Sequence, residues 1–215
     1  MQLVIGNRTY STWSLRAWLA LRQTGAAFEE RLLPLDTPEF SAAIREISPA
    51  GRVPVLIDGE TRVWDSLAIL EYLAERFPDA GLWPQERPVR ALARSVVAEM
   101  HSGFGALRSH YPMNLRRRPA PHPKAPDAAA DIARIGAIWR DCRERHGAGG
   151  AFLFGGFSAA DCFYAPVVTR FLTYQLPMDK VMRDYAEAVM DHPFMIDWRR
   201  GAADESWVVS ADEVD

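Results

Sequence analysis

Cysteine is scarce in this chain: two in 215 residues, Cys142 and Cys162. So few thiols exclude a disulfide scaffold, and a reducing cytosol is the compartment that suits them. No apolar run approaches the roughly 20 residues needed to cross a bilayer. The opening MQLVIGNRTYS lacks the basic flank and long apolar stretch of a signal peptide. A cytoplasmic protein with no membrane partner is expected. Positive charge is not in excess either. The net charge is −3, and residues 1–83 carry 8 Lys+Arg against 11 Asp+Glu, the remainder 17 against 17. Neither part is a basic platform, so no nucleic-acid partner is expected. The five histidines (His101, His110, His122, His146, His192) include no His-x-x-x-His pair, and Cys-x-x-Cys is absent. No metal site is indicated.

What is present is the balance of a globular protein, 48% apolar and 25% charged. The length fits one large domain or two compact ones. Leu3-Val4-Ile5 reads as a buried strand ending at Gly6. Leu15, Trp18, Leu19 and Arg22 share a helical face that stops at Gly25. Phe28–Leu33 predicts a strand and Pro38–Ile47 a helix. Val53–Ile57 and Thr61–Trp64 flank Asp58-Gly59, a strong hairpin signal. Asp65 then precedes a helical pattern from Leu67 to Phe77. This βαβαββα order predicts an α/β domain. Three prolines in Pro78–Pro88 read as a linker. Beyond it strand signals fade. Helices are predicted over Val89–Leu107, Asp127–His146, Ser158–Leu176 and Met178–Met190, with a proline-rich loop at Tyr111–Pro126 and a glycine-rich connector at Gly147–Gly156. Trp13, Trp18, Trp64 and Trp139 fall where at least half burial is expected. Arg116-Arg117-Arg118 reads as a solvated face.

Three motifs carry chemistry or folding information. Tyr10-Ser11-Thr12-Trp13-Ser14-Leu15-Arg16 spans the first strand-to-helix junction. Ser48-Pro49-Ala50-Gly51-Arg52-Val53-Pro54-Val55-Leu56 leads to Trp64-Asp65-Ser66. Phe152-Leu153-Phe154-Gly155 is followed by Phe157-Ser158-Ala159-Ala160-Asp161. Hydroxyls at a helix N-terminus sit where free N–H groups and the helix dipole favour negative charge. Ser11 or Thr12 also suits a plain helix cap. Ser158-x-x-Asp161 has capping-box spacing, with Phe157 as hydrophobic staple.

In this order the three motifs resemble those of the glutathione S-transferase superfamily, in its serine-type branches. The resemblance implies a thioredoxin-like glutathione-binding domain at residues 1–80, a linker at 81–88, and an all-helical bundle at 89–215 that supplies the second-substrate pocket. Glutathione would be the co-substrate and a small hydrophobic electrophile its target, in a cytoplasmic, detoxifying homodimer. Ser11 would stabilise the glutathione thiolate, with Ser14 and Tyr10 as rivals. A free thiol pKa is about 8.5, so little is thiolate at neutral pH. Lowering it by two units needs about 2.7 kcal/mol, and one hydrogen bond to a charged group supplies about 1.5–3 kcal/mol.

The resemblance further gives Val53-Pro54 a cis peptide bond, with the Val53 backbone pairing to the cysteinyl part of glutathione. Ser66 would bind the γ-glutamyl carboxylate, Asp65 the ammonium, and Arg52 the glycine carboxylate. His101, Phe104, Arg108 and Tyr111 become second-substrate candidates. Superfamily branches with thiol-disulfide chemistry carry a cysteine at the first helix. None stands there in this chain. A glutathione-dependent isomerase of the maleylacetoacetate type and a non-catalytic binding protein are the alternatives; the Ser-Ser-Cys run of that isomerase branch is missing.

Overall fold

The computed structural model describes residues 1–121 and 125–214; His122 lies outside them. Strand β1 (Gln2–Ile5) pairs in parallel with β2 (Glu29–Leu32) through helix α1 (Thr12–Gln23). After α2 (Pro38–Ile47), β3 (Val55–Asp58) runs antiparallel to β1, and β4 (Thr61–Trp64) antiparallel to β3. Helix α3 (Ser66–Arg76) follows. The sheet order is β2-β1-β3-β4, the expected βαβαββα arrangement.

Period-two alternation sorts the sheet's faces. Leu3, Ile5 and Leu56 join the core formed with α1 and α3, while Val4 and Val55 face Ile44 and Ile47 of α2. Thr37 caps α2 by accepting from the Phe40 N–H at 3.1 Å, ahead of a proline at the first turn. The hairpin is displaced by one residue from the predicted Asp58-Gly59 turn. Asp58 pairs with Thr61, and Gly59-Glu60 form the turn. Gly59 supplies the positive φ of 60°. Asp58 stays in the ladder with its carboxylate taken by the Tyr72 hydroxyl of α3, 2.9 Å away.

The second part is helical: α4 (Arg87–Ser102), α5 (Gly105–His110), α6 (Ala129–His146), α7 (Ala159–Thr173), α8 (Lys180–Asp191) and α9 (Pro193–Ala203). The single helix expected over Val89–Leu107 is instead broken at Gly103-Phe104. Phe104 is left-handed, with φ 59°. Arg108 folds back and donates to the Met100, His101 and Gly103 carbonyls, satisfying the open end of α4. Helix α9 begins where no helix was assigned. Pro193 occupies its first turn, and His192 Nδ1 accepts from the Phe194 N–H at 3.3 Å.

Helix α7 is buried on nearly every side and packs against α1, α4 and α8. It joins the two parts in one core containing Leu15, Leu70, Val96, Phe163, Val167 and Trp198. Of the four tryptophans expected to be at least half buried, Trp18 and Trp139 are fully so; Trp64 is the most open, at 43%. Among the described residues no helix is long and apolar enough to cross a membrane.

Helix α7 opens on the capping box that the sequence predicts. Fully buried Asp161 accepts from the Ser158 N–H at 2.8 Å, the Ser158 hydroxyl at 2.9 Å and the Leu153 N–H at 3.1 Å. Asp161→Ala is expected to destabilise the protein by more than the ~2 kcal/mol upper end for a simple cap, because three buried donors lose their acceptor together. A fall in denaturation midpoint at constant m-value measures it.

Candidate active site

The loop between β1 and α1 is tied down from several directions. The Ser11 N–H donates to the Asn7 carbonyl at 2.8 Å, and Asn7 Oδ1 accepts from the Leu35 N–H at 2.8 Å. Glu205, beyond α9, accepts from the Arg8 N–H at 2.7 Å and from the Thr9 N–H and hydroxyl at 3.0 Å each.

Ser11 is the N-cap of α1; its Oγ accepts from the Ser14 N–H at 3.4 Å. The two hydroxyls are hydrogen-bonded at 2.8 Å, and Ser14 Oγ also accepts from the Gly6 N–H at 3.0 Å. Ser14 has no exposed surface, so it supports the junction from behind, whereas Ser11 borders a cleft. Tyr10 lends its ring to the same cleft. Its hydroxyl points to the C-terminal segment, donating to Glu213 and accepting from Arg116 Nη2 at 2.9 Å. Burial and then the Glu213 contact push the Tyr10 pKa up. Arg116 and Arg117 are not a solvated face. Arg116 also donates to the Glu205 and Trp207 carbonyls, and Arg117 to that of Val214.

Two clefts of about 350 and 360 Å³ share the walls Trp13, Arg52 and Val53. The first is closed by Pro54, Trp64, Asp65 and Ser66. The Val53-Pro54 peptide is cis. Ser66 is 1% exposed, and its Oγ has no hydrogen-bond partner among the described residues. A buried hydroxyl without a partner is costly unless a ligand completes it. Asp65 caps α3, its Oδ1 accepting from the Leu67 N–H at 2.8 Å and the Ala68 N–H at 3.4 Å. Arg52 is exposed on the rim.

The second cleft is lined by Ser11, Thr12, Met113, Arg108, Arg170 and Asp212. Of the four second-substrate candidates, Arg108 alone borders it. His101 stands behind Trp13 against Asp65. Phe104 is the buried hinge between α4 and α5, and the Tyr111 carbonyl receives Arg170 Nε at 2.7 Å. Arg170 and Asp212 lie outside the site residues expected from the sequence. A lone arginine in the apolar run of α7 was the available signal for the first; Asp212 had none.

Charge in this region is mostly positive. Arg16 is fully buried, its guanidinium 4.4 Å from the Trp13 ring and 4.9 Å from that of Phe163. None of its nitrogens has a hydrogen-bond partner among the described residues. Burial, then Arg108 and Arg170, lower its pKa to about 9. Burial likewise lowers Arg170, to about 10, and raises Asp212. Both cysteines are buried and free. Burial drives Cys142 up to about 12 and Cys162 well above its ordinary value, so neither supplies a thiolate. No group of three or more metal-ligating side chains occurs among the described residues.

Residues 10–76 match the family model "Glutathione S-transferase, N-terminal domain". A probable maleylacetoacetate isomerase of Caenorhabditis elegans is 35% identical over 103 residues, covering 47% of each chain. The chain spans about half the length of the curated relatives it matches first. Among solved structures, a Burkholderia glutathione transferase homolog with bound glutathione superposes with a TM-score of 0.75 at 24% identity, over 95% of this chain and 98% of that one. A bacterial maleyl pyruvate isomerase, a zeta-class glutathione S-transferase, gives 0.72 at 21%, over 96% and 100%.

Arg16 yields a stability test. Its folded-state pKa lies below the ordinary 12.5, so the penalty for burying the cation is fully present at neutral pH and eases only above about pH 9. Arg16→Met is expected to keep or raise the unfolding free energy, by up to about 4 kcal/mol. Urea unfolding at pH 7 checks the sign.

Proposed function

We propose that this chain, which matches a glutathione S-transferase N-terminal domain at residues 10–76 and shares the two-domain fold along its length, is a glutathione transferase of that superfamily. Residues 1–80 bind glutathione, 81–88 link, and 89–215 complete the pocket for a small hydrophobic electrophile. One observation carries this reading. The cleft that holds the Ser66 hydroxyl, which has no partner among the described residues, and the cleft that holds Ser11 at the α1 N-terminus adjoin at Trp13, Arg52 and Val53.

In the first cleft the γ-glutamyl carboxylate meets Ser66 and the first N–H groups of α3, and its ammonium meets Asp65. The Val53 backbone pairs with the cysteinyl unit, and Arg52 receives the glycine carboxylate. The sulfur lies at Ser11. Without ligand, Ser11 Oγ donates to Ser14 Oγ, which also accepts from the Gly6 N–H. With glutathione bound, the rotatable Ser11 hydroxyl turns its proton to the thiolate, and the Ser14 hydroxyl donates to Ser11 Oγ in exchange. The hydroxyl and the α1 dipole lower the thiol pKa. Positioning of the two substrates does the rest. Tyr10 is the weaker donor because its hydroxyl already serves Glu213. A homodimer and a cytoplasmic detoxifying role complete the proposal.

A second reading is favoured by Arg108 and Arg170, which line the same cleft as Ser11. Two guanidiniums there suit an acidic substrate. An isomerase adding glutathione reversibly to an unsaturated diacid, as the names of two relatives suggest, would use the same serine. Consumption of glutathione separates the two readings.

Ser11→Ala is expected to lower glutathione-dependent turnover at least about tenfold and raise the bound-thiol pKa. Ser14→Ala is expected to do less to turnover. An unchanged thiolate absorbance titration in Ser11→Ala would remove that assignment. Retention on immobilised glutathione should vanish in Ser66→Glu; no heat of binding by the unaltered protein at millimolar glutathione would instead favour a non-catalytic fold relative.

A further inference from the structure

The amine end of the first cleft has a second wall. Asp65 has a positive φ of 71°, a conformation that a non-glycine residue keeps only when its surroundings impose it. Its Oδ1 is spent on the α3 N-terminus. Its Oδ2 stands 3.4 Å from His101 Nε2, reached across the junction from α4. The imidazole has little freedom. It meets the Trp13 ring edge-on, with centroids 5.3 Å apart and planes at 84°, and it lies 6.0 Å from the Phe163 ring. Its Nδ1 is buried with no hydrogen-bond partner among the described residues. In the neutral ring, the proton therefore belongs on Nε2, the nitrogen nearer the carboxylate, at a distance that is a close approach and not yet an aligned hydrogen bond.

We propose that His101 is a positioning residue for the ammonium of glutathione, its neutral imidazole N–H closing on Asp65 Oδ2 when the ammonium draws that carboxylate into the first cleft. This rests on the glutathione reading above and extends it to a residue outside the cleft lining. A neutral donor orients Asp65 without cancelling its charge. A protonated ring would pair with the carboxylate and repel the ammonium. The surroundings keep the ring neutral. Burial lowers the His101 pKa from its ordinary 6.5, the Arg16 and Arg108 cations lower it further, and Asp65 alone opposes them. Trp13 and Phe163 bring no charge. Glutathione affinity is then full near neutrality and falls as pH drops below the ordinary histidine range.

Calorimetry with two ligands tests this: glutathione, and its analogue with glutaryl in place of γ-glutamyl, which lacks only the amine. His101→Phe should weaken glutathione about tenfold, as for loss of a charge-assisted contact, and leave the glutaryl analogue within about twofold. His101→Gln keeps an N–H donor that does not titrate. It should retain glutathione affinity at pH 7.5 and abolish the acid loss seen in the unaltered protein. Equal weakening of both ligands in His101→Phe, or an unchanged acid limb in His101→Gln, overturns the proposal while the glutathione reading stands. If His101→Phe does not fold, the His101→Gln pH profile decides alone. Failure of the unaltered protein to bind glutathione overturns both.

Discussion

Residues 6–11 pass through the interior between β1 and α1, where their amides cannot bond to water. Every such group must find a partner in the protein. Ser14 takes the Gly6 N–H, Asn7 takes that of Ser11, and the Glu205 carboxylate takes those of Arg8 and Thr9. The Trp198 indole in turn donates to the Arg8 carbonyl at 3.0 Å. Much of the remaining site follows from this one requirement. It fixes the direction of α1, sets the Ser11 hydroxyl at a helix N-terminus, and turns Tyr10 toward the C-terminal segment. The polar residues that look catalytic in a sequence are here divided between those that satisfy the loop and those that face the cleft.

The βαβαββα order was legible because each short strand ends at a residue that stops it: Gly6, Pro34, or the Asp58-Gly59 pair. The α2 start was readable from Pro38, which occupies its first turn. The hairpin slipped by one residue because Asp58 has a second obligation to Tyr72, invisible in a local pattern. The break in α4 was hidden for a related reason. Leu92, Val96, Met100 and Phe104 keep helical spacing through the interruption, since Phe104 enters the core whether or not the helix continues. What stops the helix is the Arg108 guanidinium on its terminal carbonyls, a contact between residues that a periodicity argument treats as equivalent surface positions.

The cleft nearer Ser66 was readable because its residues lie in two contiguous motifs. The residues that the second part of the chain adds to the other cleft were not. Arg170, Met113 and Asp212 come from three separate stretches, and only the packing of α7 against α1 and the folding back of the C-terminal segment bring them beside Trp13. The arginines also show how burial reshapes charge. Arg16 rests on aromatic faces instead of carboxylates, a cation–π arrangement that softens but does not remove the desolvation of a buried cation. Arg170 keeps two backbone carbonyls, those of Tyr111 and Pro166, and a wall of the cleft.

Glu205 is separated from the loop it satisfies by nearly the whole length of the chain. During synthesis on a ribosome, β1, α1 and the rest of the first part emerge long before residue 205 is joined to the chain. Until then the Arg8 and Thr9 amides have no carboxylate to bond, and Tyr10 has no Glu213 to turn toward. The nascent first domain can build its sheet, but its strand-to-helix junction stays open to water. The cleft thus takes its final form only after residues 205 and 213 have joined the chain, so the site waits on a segment remote from it in sequence.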